Sequence, residues 1–135
     1  MDSLLRFHHI GIACRDIEKT KAFYLDLGYL ASDTVDDAIQ HVKVAFLDKQ
    51  GAPRLELLEP LDEQSPVHRM LGTVGVTPYH MCYVVQDIDK AIAALRDKKF
   101  LLVSGPVPAC AMNDNRIAFL FNRNYGLIEL VEIPS

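Results

Sequence analysis

His9–Leu30 reads HIGIACRDIEKTKAFYLDLGYL, and His80–Leu101 reads HMCYVVQDIDKAIAALRDKKFL. Superposed at an offset of 71 without a gap, the two stretches agree at His9/His80, Asp16/Asp87, Ile17/Ile88, Lys19/Lys90, Ala22/Ala93, Asp26/Asp97 and Leu30/Leu101. A second pair of stretches, Val44–Glu59 and Ile117–Glu132, agrees at an offset of 73 in Ala45/Ala118, Phe46/Phe119, Leu47/Leu120, Glu56/Glu129, Leu57/Leu130 and Glu59/Glu132. The change of offset places a small insertion between residues 102 and 116. Neither block is low in complexity, so compositional bias does not explain the match. The chain is a duplicated module of about 55 residues.

Each copy predicts the same layout. A short Ile- or Val-rich β-run opens it. Asp16 and Asp87 then stand at N-cap positions, and Gly28 marks the end of the first helix. In the second copy Ile88, Ala91, Ile92 and Leu95 recur at i, i+3, i+4 and i+7, which is one apolar helix face. The first copy blurs this stripe, because Lys21 takes the place of Ile92. A short strand follows each helix (Leu30 onward; Leu101–Val103). Next come a longer strand (His41–Leu47; Arg116–Phe121), a turn, and a closing strand (Arg54–Leu58; Leu127–Val131). The turns are punctuated by Lys49-Gln50-Gly51 and Asn124-Tyr125-Gly126. Module one is expected over 5–60, a connector over 61–75 with a short helix from Ser65-Pro66 through Leu71, and module two over 76–134.

Composition narrows the function classes. The 135 residues are half hydrophobic and carry a formal net charge of -4, as a single globular domain would. No basic tract suggests nucleic acid, and no apolar run approaches the roughly 20 residues that span a bilayer. The start, MDSLLRFHHIGIA, lacks the layout of a secretory signal. Cys14, Cys82 and Cys110 are odd in number and have no metal-ligand spacing, which argues against a disulfide framework. A reducing cytoplasm is the expected location.

The chemistry-bearing pattern lies in the polar residues that the repeat keeps. Leu55-Glu56-Leu57-Leu58 and Ile128-Glu129-Leu130-Val131 place a carboxylate inside an apolar run, as in a strand buried on both faces. A lone buried carboxylate costs several kcal/mol unless it is paired or bound to a cation. The same problem occurs twice at equivalent positions, and His9 and His80 open the first strands, so the pattern calls for a shared cation. Two imidazoles and two carboxylates suit Zn, Ni, Co, Mn or Fe. His9, Glu56, His80 and Glu129 are the expected ligands; His8, on the other face, is read as structural or exposed. Alternation puts Lys43, Ala45 and Leu47 on one face, with Arg116, Ala118 and Leu120 as their equivalents. Lys43 and Arg116 are then either paired cations near the cavity, suited to an anionic substrate, or strand-end residues in solvent. Cys82, two residues after His80, is expected to pack beneath the metal. Gly105–Asn115, GPVPACAMNDN, is the longest irregular segment, and is either a lid with Asn113 and Asn115 as substrate contacts or an ordinary surface loop.

HHIGIACRDIEKTKAFYLDLGY (8–29), LELLEPLDEQSP (55–66), YHMCYVVQDIDKAIAAL (79–95) and GLIELVE (126–132) together resemble the vicinal oxygen chelate superfamily over nearly the whole chain. That superfamily includes glyoxalase I, methylmalonyl-CoA epimerase, extradiol dioxygenases and the fosfomycin and bleomycin resistance proteins. The ELLxP stretch is similar to the epimerases in particular. The resemblance implies an α+β fold of two tandem βαβββ modules forming a half-open mixed β-barrel, with the same four residues as metal ligands. It also implies a homodimer. The implied activity is a metal-dependent isomerase or lyase that removes a proton α to a carbonyl of a small anionic carbonyl or thioester substrate and stabilises the enolate on the metal, with Glu129 or Glu56 as base. Two departures from the epimerase pattern stand out: Phe121-Asn122-Arg123 replaces a His-Pro-Lys, and Lys43 lies near a position where some epimerases carry a catalytic Glu. The rival readings are an Fe(II) extradiol-type dioxygenase, which the fourth ligand at Glu56 opposes, and a resistance-type binding or thiol-transfer protein.

Overall fold

The structure, a computed structural model, describes residues 3–135. It is an α+β protein in which each half repeats a βαβββ plan. The elements in order are β1 (Arg6–Ala13), α1 (Ile17–Asp26), β2 (Leu30–Ala31), β3 (Val35–Asp37), β4 (Val42–Asp48), β5 (Leu55–Pro60) and α2 (Pro66–Thr73), then β6 (Thr77–Val85), α3 (Ile88–Asp97), β7 (Leu101–Ala109), β8 (Asn115–Asn122) and β9 (Gly126–Glu132). The chain divides into two compact units, one of His9–Tyr79 and one of His80–Ser135 with the residues through His8. Among the described residues, no helix is long and apolar enough to cross a membrane.

In the unit of His9–Tyr79 the strands lie in the order β2-β4-β5-β1, and β3 also pairs with β4. β1 runs parallel to β5, while β4 and β5 form an antiparallel hairpin. Parallel pairing of β1 with β5 requires the chain to cross back over the sheet between them, and α1 makes that crossing. The Asp16 side chain caps α1 by accepting from the Lys19 backbone N–H at 3.0 Å. The helix then packs Ile17 against Ile12, Cys14, Ala45, Leu47, Leu55 and Leu57. α2 begins as the Ser65-Pro66 pair predicts, with the Ser65 hydroxyl accepting from the Val67 N–H, and it runs two residues past Leu71. β4 starts at Val42 and not at His41, because His41 takes a left-handed conformation at φ 59.

The other unit repeats the arrangement in the order β6-β9-β8-β7. Asp87 caps α3 through the Lys90 N–H at 3.0 Å. Here the predicted stripe is buried in full: Ile88, Ala91, Ile92 and Leu95 pack against Ala118, Leu120 and Leu130. β7 corrects an expectation. The segment Gly105–Asn115 is not a long irregular loop, because β7 continues through it to Ala109 and a single 3-10 turn covers Cys110–Met112. Pro106 and Pro108 have no backbone N–H to give to a ladder. They are tolerated because β7 is the last strand in its order, and its pairing with β8 shifts register between Leu102 and Val107.

Candidate active site

Strand register decides which side chains can work together. In the β4–β5 hairpin Phe46 lies opposite Glu56 and Val44 opposite Leu58, and in the β1–β5 pair Gly11 lies beside Glu56. Neighbours across a ladder project to the same face. His9, Gly11, Val44, Phe46, Glu56 and Leu58 therefore share one face, and α1 packs on the other. The second unit repeats this: Phe119 lies opposite Glu129, Ile117 opposite Val131, and Cys82 beside Glu129. His80, Cys82, Ile117, Phe119, Glu129 and Val131 share a face, opposite α3.

Each unit brings one imidazole and one carboxylate together in apolar surroundings. His9 Nε2 lies 3.1 Å from Glu56 Oε1, and His80 Nε2 lies 3.1 Å from Glu129 Oε1. All four residues are buried, with exposures of 0% for His9, 3% for Glu56, 4% for His80 and 1% for Glu129. Desolvation on this scale opposes an uncompensated carboxylate. Nitrogen and oxygen ligands sit about 2.0–2.2 Å from a zinc-like ion, so two neighbouring ligands at a right angle are about 3 Å apart. The 3.1 Å pairs fit that spacing, and the donor set suits a borderline divalent ion.

Two aromatic residues in these half-sites were not among the predicted ones. The Phe46 ring stands edge-on to the His9 imidazole, with centroids 5.4 Å apart and planes at 74°, and Phe119 does the same to His80 at 5.2 Å and 89°. The repeat carried a signal for them, since Phe46/Phe119 is one of its identities.

Lys43 and Arg116 do share a face with Ala45 and Leu47, and with Ala118 and Leu120, but it is the helix-bearing face. Lys43 pairs across the ladder with Glu59, its Nζ 3.7 Å from Glu59 Oε2. Arg116 Nε and Nη2 donate to Glu132 Oε1 and Oε2 at 3.0 and 3.1 Å. Both glutamates also accept from a helix N-terminus, Glu59 from the Ile17 N–H and Glu132 from the Ile88 N–H, each at 2.9 Å. Neither cation stands on the face of the buried carboxylates, and their placement supports a structural role. Arg116 and the Ile88 N–H hold the Glu132 carboxyl below its ordinary range.

Asn115, two residues before Ile117, falls on the Glu129 face at the start of β8, and Asn113 ends the 3-10 turn in a left-handed conformation. Cys82 is buried beside Glu129 as expected. Cys14 lies on the helix-bearing side, where burial pushes its thiol up to about 11, so it packs as a small apolar group.

With duplicated βαβββ units and a buried His–Glu pair in each, the chain belongs to the Glyoxalase/Bleomycin resistance protein/Dioxygenase superfamily, which matches residues 8–119. Among its relatives is the mitochondrial methylmalonyl-CoA epimerase of Homo sapiens, 33% identical over 95% of this chain and 74% of that protein. An uncharacterized protein of Bacillus subtilis, YqjC, is 36% identical over 94% of this chain and 91% of its own length. Among solved structures, a variant of the Streptomyces coelicolor methylmalonyl-CoA epimerase in complex with 2-nitronate-propionyl-CoA has a TM-score of 0.82 at 32% identity, covering 98% of this chain and 99% of that one.

Proposed function

We propose that the chain is an epimerase that exchanges the proton α to the carbonyl of a short acyl-CoA thioester, with one divalent metal ion held jointly by His9, Glu56, His80 and Glu129. The observation that carries this reading is the buried His–Glu pair, built twice with the same 3.1 Å separation. The epimerase relatives, one of them bound to a propionyl-CoA analogue, support the thioester. When bound, the ion supplies a Lewis acid that polarises the substrate carbonyl and makes its α C–H more acidic.

Epimerisation removes a proton from one side of a planar enolate and delivers one to the other side, so it uses two proton-exchanging groups. The face carrying Glu56 offers Val42, Val44 and Leu58 around it, and a second buried carboxylate, Asp37 across the ladder from Val42, is engaged by the Ile39 and Gln40 N–H groups and the Gln40 side-chain amide; the face carrying Glu129 offers Ile117 and Val131. Glu56 and Glu129 are therefore assigned both as ligands and as the acid–base pair. The apolar walls keep bulk water away from the two buried carboxylates. Asn115, with Asn113 in the preceding turn, is assigned to hydrogen-bond the anionic end of the substrate.

The test is metal content of protein purified without chelator, followed by incubation with methylmalonyl-CoA in deuterated water. About one zinc, nickel, cobalt or manganese per chain, with deuterium entering at C2, is expected, and Glu56→Gln or Glu129→Gln should each slow exchange by about 10²–10⁴-fold. Metal with no exchange, but with conversion of a hemithioacetal, would move the chain to glyoxalase-type lyases. Bound iron with ring-opening of a catechol would make it a dioxygenase. Protein that binds no metal and catalyses no exchange overturns the proposal.

A further inference from the structure

The rings of Phe46 and Phe119 have no place in the chemistry above, yet the repeat retains both. Neither belongs to the apolar clusters beneath α1 and α3. Both are only partly buried, although they project from the central part of their strands on the face of the buried carboxylates. Each lies directly across the ladder from its glutamate and edge-on to its histidine. The imidazole is thus confined by a carboxylate oxygen at 3.1 Å and by an aromatic ring with centroids 5.2–5.4 Å away.

We infer that Phe46 and Phe119 are positioning residues that set the ring planes of His9 and His80, so that each Nε2 is presented to the metal beside its carboxylate. The inference rests on the reading of these histidines as ligands. A histidine reaches the strand through two rotatable bonds, and its outer torsion is soft. Nothing in the bond to glutamate fixes the tilt of the ring about the Nε2–Oε1 line. A perpendicular aromatic ring does restrict it, because edge-to-face contact is a favoured arrangement at this separation and a change of tilt would lose it. The carboxylates leave this tilt open, since a single carboxylate oxygen pairs with each imidazole within its unit. A branched aliphatic side chain would fill the volume and leave the tilt free.

The experiment uses the full chain stripped of metal and titrated with Co²⁺, reading the dissociation constant and the visible absorption bands. The variants are Phe46→Leu, Phe119→Leu and their combination, with Phe46→Tyr and Phe119→Tyr as ring-retaining rescues. Partners that orient metal ligands are typically worth 10–100-fold in affinity, so each Leu variant should bind Co²⁺ about 10-fold more weakly with shifted bands, and the combination about 100-fold more weakly. The Tyr variants should bind as the parent does. Thermal unfolding of the metal-free proteins separates a general loss of stability, which would move the melting midpoint without moving the bands. Leu variants that bind as the parent does, or Tyr variants that lose as much as Leu, overturn the inference while leaving the histidines as ligands. If the parent binds no Co²⁺, the ligand reading itself fails and the inference fails with it. Should a Leu variant not fold, Phe→Met at the same position supplies flexible apolar bulk and is read in the same way.

Discussion

The two halves of the molecule keep the same buried pair and differ in how their helices and sheet edges are packed around it. His9–Glu56 and His80–Glu129 have equal separations, and a phenylalanine flanks each. The helices above them are held differently. α3 buries Ile88, Ala91, Ile92 and Leu95, whereas α1 buries only Ile17. Where α3 has Ile92, α1 has Lys21, whose ammonium bonds the Thr34 hydroxyl at 3.1 Å and lies 3.7 Å from Glu18. The edges diverge too: β7 is nine residues long, and its counterpart is broken into β2 and β3. Apolar packing can be redistributed with little loss as long as volume and pattern survive, whereas a buried ionisable pair tolerates no single-partner change.

The largest effect expected from this contrast lies in the helix stripes. Ile92→Ala removes buried side-chain volume and should cost about 2–4 kcal/mol of unfolding free energy. Lys21→Ala, at the equivalent position, should cost about 1 kcal/mol or less, since it loses one partly exposed hydrogen bond and a weak ion pair. Urea unfolding followed by far-UV circular dichroism measures both. Equal costs would show that α1 is held as tightly as α3 and would break the comparison.

A smaller difference is expected at the helix N-termini, where Glu59 and Glu132 perform the same task with unequal partners. Arg116 engages Glu132 with two donors, at 3.0 and 3.1 Å, whereas Lys43 stays 3.7 Å from Glu59. The Glu132 carboxyl is held below its ordinary value of 4.5, first by the Arg116 hydrogen bonds and then by the Ile88 N–H. A depressed folded-state pKa contributes stability that is fully present above 4.5 and disappears as the pH falls through the lower folded value. Glu132→Gln should therefore cost about 1 kcal/mol at neutral pH and nothing in strong acid. A stability–pH curve that keeps its full slope below pH 4.5 in Glu132→Gln would contradict this assignment.

The sequence displayed the repeat, the caps at Asp16 and Asp87 and the buried pairs, for a common reason. Each is a local pattern whose meaning depends on burial, and an apolar run around a glutamate declares burial without three-dimensional information. The faces were harder to read. Alternation groups Lys43 with Ala45 and Leu47, and Glu56 with Leu58, but it does not say which group faces which. That depends on the register of the β4–β5 hairpin, and a slip of one residue exchanges the faces. With Phe46 opposite Glu56, Lys43 falls with Glu59 on the helix side. The same missing register hid Phe46 and Phe119, since an aromatic residue in a strand reads first as core. The length of β7 was hidden because Gly105–Asn115 carries no alternating strand pattern, and its Pro106 and Pro108 fit a strand only at an edge.

The smallest effect concerns the ends of α1 and α3, where the repeat superposes Gly28 on Lys99. Both follow their helix in a left-handed conformation, Gly28 at φ 93 and Lys99 at φ 71. The conformation reverses the chain so that Tyr29 and Phe100 donate backbone N–H bonds to the Tyr24 and Leu95 carbonyls at 3.1 Å, closing each helix. Glycine adopts this region without penalty; a side chain bearing Cβ does so at a cost of about 1 kcal/mol. Lys99 is exposed, so its removal loses little contact. Lys99→Gly should raise the unfolding free energy by about 0.5–1 kcal/mol, less whatever entropy the glycine adds to the unfolded chain. Gly28→Ala should lower it by a similar amount, since a Cβ there meets only the flexible end of Lys49, at 3.5 Å, and the cost is conformational. Opposite signs for the two exchanges, read from denaturation midpoints at constant m-value, would show that both modules end their helices by one device. A loss of stability in Lys99→Gly would show that module two closes α3 by side-chain contacts of Lys99 that module one does without.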